Sequence, residues 1–147
     1  ISDLYYFFIR KDNLVYISEL DNQRLHSSQL QEGDLVLSKV GNTIGVVSII
    51  TNDIGRVNIS ENNIGIKLQG LDYGVKIFLL TFLNSKLGQE QILRRISGNA
   101  QPKLNIADIY EINFYNPTEN VLQIVENLVV NAKKCVDDSN TFYSQAE

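Results

Sequence analysis

Apolar residues in the first half of the chain come in short runs that polar turns separate. Five of these runs are rich in β-branched and aromatic side chains, which is typical of β-strands. They are residues 4–9, 14–17, 34–40, 44–50 and 64–68. Gly41-Asn42-Thr43 separates the third run from the fourth, and Gly and Asn tolerate the positive φ angles of hairpin turns. The pattern therefore predicts a sheet that contains a hairpin.

After Gly74 the apolar residues recur with the period of a helix. This spacing holds within 75–85, and 88–96 continues it as a second short helix. Gly98 follows at a position where a left-handed residue commonly ends a helix. The sequence therefore predicts a helix pair here.

Residues 105–117 predict a short helix followed by a strand. Asn105 is a typical N-cap residue, and Asp108 three positions later favours one turn of helix after it. Residues 110–115 alternate between apolar and polar side chains, which predicts a strand that Pro117 ends.

A third helix is predicted after Pro117, and its apolar residues alternate between spacings of four and three, as in a coiled-coil seam. The seam consists of Val121, Val125, Leu128, Ala132 and Cys135. Such a stripe predicts either a terminal helix that docks on its own domain or a helix that packs on a second helix, and both alternatives stay open. Residues 139–147 are polar and are expected to fray.

The length of 147 residues fits one domain with a sizeable core. The longest apolar runs are far shorter than the roughly 20 residues that cross a bilayer, so no membrane contact is expected. Cys135 is the single cysteine, which excludes an internal disulfide and favours the cytoplasm. The chain begins with Ile and contains no Met, so we expect it to be part of a longer protein.

The net charge of −4 argues against a protein that binds nucleic acid through bulk electrostatics. The charge is unevenly distributed, however, because residues 86–103 hold four cations against Glu90 alone. The four are Lys86, Arg94, Arg95 and Lys103. A local basic surface on a near-neutral body is therefore compatible with the sequence.

The chain shows no catalytic machinery. His26 and Cys135 are single and far apart in sequence, so they predict neither a metal cluster nor a nucleophile pair. Neither of the two common glycine-rich phosphate-binding motifs occurs. Gly33-Asp34 at a strand entry is more typical of a turn, in which Asp bonds its own backbone, than of a catalytic acid. We therefore expect no catalytic residue, no metal and no cofactor, and a binding module remains.

Several short motifs follow one another in a specific order between residues 4 and 117. They are Gly33-Asp34 before a strand, Ile44-Gly45 after a hairpin tip, Asn84-Ser85 and Gly88-Gln89 in the helix pair, then Gly98, Gln101, Leu104 and Pro117. In this order and spacing the chain resembles the target recognition domain of type I restriction–modification specificity subunits, which is also found fused to N6-adenine DNA methyltransferases. The helix after Pro117 is similar to the start of that family's spacer helix.

The resemblance implies an α+β fold with a twisted, partly barrel-like mixed sheet, a helix pair and a C-terminal spacer-type helix. It implies a DNA target recognition domain over 1–117, followed over 118–147 by a spacer or dimerisation helix and its frayed tail. It further implies that the module has no catalytic activity and reads double-stranded DNA for a partner DNA methyltransferase. In the family a restriction subunit uses the same complex, so it is a further expected partner.

Family subunits carry two recognition domains, whereas this chain has one. One expected arrangement is therefore self-association or partner binding through the C-terminal helix, at Val121, Val125, Leu128 and Ala132. The alternatives are an excised domain and the C-terminal recognition domain of a single-chain N6-adenine methyltransferase or restriction–methylation enzyme. The chain itself lacks the adenine-holding loop of such enzymes, because Asn116-Pro117 is followed by Thr118 rather than by Pro and an aromatic residue.

Candidate DNA-binding residues follow from how proteins contact duplexes. Arg and Lys pair with guanine, Asn and Gln pair with adenine, and Lys, Arg, Ser and Thr hold phosphates. The candidates are Arg24 and His26 before Gly33, Lys39, Asn42 and Thr43 at the hairpin, Arg94 and Arg95 at the helix end, and Asn99, Gln101 and Lys103 in the next loop. Gln101 belongs to the motif pattern, so a structural role is its alternative. Residues that specify the sequence are expected where the pattern is silent, in 24–29 and 55–63.

Overall fold

The computed structural model describes residues 7–11, 14–98 and 102–144. Its strands are β1 (Phe7–Phe8), β2 (Gln29–Leu30), β3 (Leu35–Ser38), β4 (Val47–Ile49), β5 (Val57–Asn58) and β6 (Asn63–Ile66). Its helices are α1 (Glu19–Arg24), α2 (Tyr73–Asn84), α3 (Lys86–Leu93), α4 (Ile106–Tyr110) and α5 (Glu119–Ser144), and a 3-10 turn, His26–Ser28, follows α1.

Four strands form a mixed sheet in the order β1-β4-β3-β6. β1 is parallel to β4, whereas β3 is antiparallel to both β4 and β6. β2 and β5 form a separate antiparallel ribbon. Over the described residues the sheet is not closed into a barrel. The α+β class is confirmed, and the hairpin predicted around Gly41 joins β3 to β4.

Successive residues of β3 are buried on opposite faces of the sheet. Leu35 and Leu37 belong to the larger core, which includes side chains of α2, α3 and α5. Val36 belongs to a smaller core with Leu30 of the ribbon. Gly65 of β6 allows this close packing, because a Cβ there would lie 2.8 Å from Leu30 Cδ2. α2, α3 and α5 therefore cover one face of the sheet, and the ribbon covers the other.

Polar side chains of the helix pair hold the β3–β4 hairpin in place. Asn84 Nδ2 donates to the Val47 carbonyl oxygen at 2.8 Å, and Asn84 Oδ1 accepts from the Val47 N–H at 3.2 Å. In α3, Gln89 Nε2 donates to the carbonyl oxygens of Gly45 at 2.8 Å and Leu83 at 2.7 Å. The predicted helix pair is confirmed, and its amide side chains attach it to the sheet.

The N-terminal half of α5 packs on α2 and the larger core. Val129 is buried, and Val121, Leu122 and Val125 are half-buried there. Leu128, by contrast, is 65% exposed. This part of the helix therefore docks on its own domain, as one of the two sequence alternatives predicts, while the side that carries Leu128 remains open.

The strand predicted over 110–115 is wrong. In this fully described stretch α4 ends where the strand should begin, and no regular structure follows before α5. Phe114 and Tyr115 are adjacent, yet their rings both pack on α2, at centroid distances of 6.2 Å from Phe82 and 5.5 Å from Phe78. Successive side chains of a strand point to opposite faces, so packing both on one helix requires irregular backbone.

Two further expectations are also wrong. Residues 14–17 form no strand, although all of them are described, and Val15 and Tyr16 are 88% and 89% exposed there. A strand needs neighbours for its backbone and for one face of its side chains, and these residues have little cover. At the other end, α5 continues to Ser144 rather than fraying from residue 139.

Candidate nucleic-acid interface

The hairpin, the end of α3 and the loop before α4 meet at the backbone of Lys39 and Lys103. The Lys39 N–H donates to the Asn62 carbonyl oxygen at 3.0 Å, and the Lys39 carbonyl oxygen accepts from the Leu104 N–H at 2.9 Å. Lys103 and Ser97 exchange two backbone hydrogen bonds of 2.9 and 3.0 Å. Three of the four predicted groups of DNA-binding residues are therefore neighbours, although they lie far apart in sequence.

Lys39, Arg94 and Lys103 belong to the segments that meet at this junction, and we call these three cations the basic region. Arg94 and Lys103 are exposed, and Lys39 is half-buried. The Arg94 guanidinium lies 3.7 Å from the Glu90 carboxylate, and 77% of the Arg94 side chain is exposed. Exposed pairs of this kind contribute little energy, so Arg94 can exchange Glu90 for another anion. Such cations suit phosphate oxygens.

Asn42 and Thr43 lie at the exposed tip of the hairpin. The Thr43 hydroxyl lies 3.0 Å from the Ser38 hydroxyl, and this hydrogen bond stabilises the hairpin itself. Asn42 presents the donor and acceptor with which an amide recognises adenine. The tip therefore adds a group that could read bases to the cations beside it.

Arg95 stands apart from this surface, and two other predicted residues lie outside the described part of the chain. Arg95 is half-buried, and its guanidinium donates to the carbonyl oxygens of Gln91 at 2.9 Å and Glu111 at 2.6 Å. These bonds give Arg95 a structural role, because they join α3 to the end of α4. Asn99 and Gln101 lie outside the described residues, so their predicted contacts and the structural alternative for Gln101 stay predictions.

The fourth predicted group lies at the end of α1 and in the 3-10 turn. Arg24 and His26 are exposed there. The Arg24 guanidinium is 3.8 Å from the Asp21 carboxylate, and both side chains are largely exposed. This segment leads into β2 of the ribbon, and the segment after β5 reaches Asn62, which bonds the backbone of Lys39. The ribbon therefore connects the fourth group to the basic region.

Sequence reasoning missed a polar network that joins the two halves of the ribbon. Asn58 Nδ2 donates to Asn22 Oδ1 at 2.5 Å, and the Ser28 hydroxyl donates to Asn58 Oδ1 at 2.8 Å. Gln29 Nε2 donates to the Asn22 carbonyl oxygen at 2.5 Å and to Asn22 Oδ1 at 3.0 Å. Asn22 and Asn58 are 36 residues apart, and no local pattern indicates that they meet.

Residues of the short motifs build the scaffold behind these loops. Asp34 is buried, and its carboxylate accepts from the N–H groups of Gln31 at 3.0 Å and Leu68 at 2.9 Å, which confirms the turn interpretation. Gly88 is buried where α3 leaves α2, and a Cβ there would clash with the Phe82 carbonyl oxygen. The described motif residues thus fix the architecture, and the exposed loops carry the candidate contacts.

The residues predicted to hold a partner helix divide between two environments. Val121 and Val125 are half-buried on their own domain. Leu128 and Ala132 are exposed, and together with Val125 they line an apolar groove of about 440 Å³ that β1 also borders. The expected self-association through this helix stays a prediction.

A cavity of about 540 Å³ lies between α5 and the turn after β4. Asp53 lines it and pairs with Lys11 at 2.5 Å and with Lys133 of α5 at 3.9 Å. Burial alone would raise the pKa of Asp53, but hydrogen bonds from Lys11 and Thr51 and the charge of Lys133 lower it to about 2. Asp53 is therefore ionised at neutral pH and helps to hold α5 in place.

The described residues lack two other features. No group of three or more His, Cys, Asp or Glu among them could hold a metal ion. No helix within the same residues has the length and apolar character that crossing a membrane requires.

No model of a known protein family matches the chain, and no curated protein matches it either. The resemblance to target recognition domains therefore depends on the motifs and stays a prediction.

Proposed function

We propose that this chain is a recognition module that binds a short sequence in duplex DNA and directs a partner adenine methyltransferase to it. In this proposal the module itself performs no catalysis, and a restriction subunit is a further partner of the same complex. The observation that supports the proposal is the backbone pairing at Lys39 and Lys103. That pairing brings the backbones of three candidate segments, which are far apart in sequence, to one junction.

The distribution of charge supports DNA binding at one surface. The chain as a whole has a net charge of −4, so non-selective attraction to DNA is weak. Many acids lie away from the basic region. In α5 the acids are Glu119, Glu126, Asp137 and Asp138, and the cations of the same helix are Lys133 and Lys134. Because DNA presents a dense row of phosphates, a local group of cations on an acidic body orients the duplex toward that group.

The rigidity of the scaffold supports a reading role for the loops. Asp34 and Asn84 fix the entry and the middle of the β3–β4 hairpin through bonds to buried backbone. Side chains that discriminate bases must be held within a fraction of an ångström. Loops that project from such a scaffold fit that requirement better than loops that extend from a mobile surface.

The proposal assigns the open side of α5 to assembly. Leu128 is exposed although Val129, the next residue, is buried in the domain. Only the resemblance suggests a methyltransferase as the partner. The exposed apolar side of α5 is compatible with such a partner.

Titration of a fluorescent duplex of mixed sequence at increasing salt concentration tests the proposal. We expect Lys39→Ala with Lys103→Ala to weaken binding and to flatten the slope of log K against log salt by about two, because each phosphate contact contributes about 0.9. The matched control is Lys67→Ala with Lys134→Ala, which removes two exposed cations elsewhere. Equal losses in both double variants, or a wild-type chain that shows no salt-dependent binding, would contradict the proposal.

A further inference from the structure

The segments 22–30 and 55–62, which we call the reading ribbon, contain β2 and β5, and these strands pair with each other rather than with the main sheet. Gln29 lies opposite Asn58 and Leu30 opposite Val57 in the β2–β5 pair. These segments contain most of the two stretches in which the motif pattern is silent. A two-stranded ribbon is one of the elements that the major groove of B-DNA accommodates.

We propose that the reading ribbon contacts the bases of the duplex and that Asn58 is the positioning residue that holds its two halves together. This inference rests on the proposed function, and it deepens that function by separating base reading from phosphate binding. The basic region of Lys39, Arg94 and Lys103 then orients the duplex without reading it.

The position of Asn58 is the first argument. Its amide donates to Asn22 from one end and accepts from the Ser28 hydroxyl at the other, at 2.5 and 2.8 Å. The Ser28 hydroxyl also lies 2.9 Å from the Leu25 carbonyl oxygen. One side chain of β5 therefore fixes both the α1 helix and the 3-10 turn that follows it.

The short strands need this network. β2 and β5 have two residues each, and a two-stranded pair of that length is at best marginally stable alone. Leu30 anchors the ribbon by packing over Gly65, but it lies at one end of the pair. Toward the other end, the backbone bond from the Ile59 N–H to the Ser28 carbonyl oxygen is 3.2 Å long. The amide network therefore does much to set the position of the exposed segment that precedes β2.

The exposed side chains of the ribbon supply the chemistry of base reading. Arg24 and His26 lie on the first segment and Arg56 on the second, and all three are exposed. An Arg forms two hydrogen bonds to guanine, and a His donates or accepts according to its tautomer. A change in the separation of the two segments would move Arg24 relative to Arg56 and alter the bases that both can reach together.

The test selects sequences from a duplex library with a randomised centre, using the complete chain. We expect the wild type to enrich a convergent sequence. In Asn58→Ala and in Asn22→Ala, we expect the ratio of affinities for the selected and the mixed-sequence duplex to fall at least tenfold. Affinity for the mixed-sequence duplex and its salt slope should stay within twofold, because the basic region is unchanged. In the double variant this ratio of affinities should fall no further than in either single variant, since both substitutions remove the same link.

Asn131→Ala, an exposed asparagine of α5, is the matched control and should select the wild-type sequence. Circular dichroism checks that each variant is folded. Should Asn58→Ala fail to fold, the two single variants Asn58→Ser and Asn22→Ala carry the comparison. A folded Asn58 variant that selects the wild-type sequence with the wild-type ratio overturns this inference and leaves the proposed function standing. A wild-type chain that binds duplex DNA without enriching any sequence overturns both.

Discussion

Replacing Asn84 by alanine should destabilise the domain, because this side chain completes the backbone pairing of a buried strand. The Ser38 N–H donates to the Val46 carbonyl oxygen within the hairpin, at 3.0 Å. Because hydrogen-bonding directions alternate along a strand, the N–H and C=O of Val47 then point away from β3. Asn84 accepts from that N–H and donates to that carbonyl oxygen, and it also donates to the Leu80 carbonyl oxygen at 3.0 Å.

Asn84→Ala leaves the buried N–H of Val47 without this acceptor, and Val47 is 0% exposed, whereas the Val47 carbonyl oxygen keeps its strand pairing with β1. Each buried polar group left unsatisfied costs about 1–3 kcal/mol, and the better helix propensity of alanine returns about half a kcal/mol. We therefore expect the free energy of unfolding to fall by about 1.5 kcal/mol. Domains of this size are typically stable by about 5–15 kcal/mol, so the variant should still fold.

Urea denaturation followed by circular dichroism measures this loss. The midpoint should fall while the m-value stays unchanged, because the surface exposed on unfolding is the same. Asn127→Ala is the matched control, since it removes an exposed asparagine from α5 and should change stability by no more than about 0.5 kcal/mol. A loss for Asn84→Ala no larger than that of the control, at constant m, would refute this account of how α2 holds the sheet.

Three further perturbations test other parts of the structure. Gly65→Val should lower the free energy of unfolding by about 1–3 kcal/mol in thermal melts, because the new side chain displaces Leu30, and an unchanged melting temperature would place the ribbon elsewhere. Asp53→Asn should flatten the acid denaturation curve: since the folded pKa of about 2 lies below the unfolded value, Asp53 stabilises the fold above about pH 4, and this contribution disappears as the pH falls to about 2. Val129→Asp should destabilise the domain by several kcal/mol, whereas Leu128→Asp should leave its stability within about 0.5 kcal/mol, and equal effects would mean that α5 docks by another face.

Features with a local signal were predictable from the sequence. The helix pair follows from the apolar period after Gly74, and the short α4 follows from Asn105 and Asp108. In the structure the Asp108 carboxylate accepts from the Asn105 N–H at 2.9 Å, as the capping pattern predicts. Gly41 adopts a φ of 80° at the predicted hairpin turn. Each of these depends on residues only a few positions apart.

Features that depend on distant partners were not predictable. The alternation over 110–115 suggested a strand, but Phe114 and Tyr115 bury part of their surface on α2 instead. The candidate residues of the hairpin and of the loop before α4 were found from their chemistry. Their proximity, however, comes from the pairing of Val40 with Lys103, which no local pattern encodes. The same holds for the link between Asn22 and Asn58.

The central claim is that this chain distinguishes one duplex sequence from another, and a competition titration tests it most directly. A labelled duplex of the selected sequence is bound to the chain and displaced either by the same duplex without label or by one with the same bases in scrambled order. One paired contact between a side chain and a base contributes about 1–3 kcal/mol of discrimination. Two such contacts therefore predict that the selected duplex displaces the label at a concentration at least tenfold lower than the scrambled one. Displacement by both at the same concentration would contradict the account.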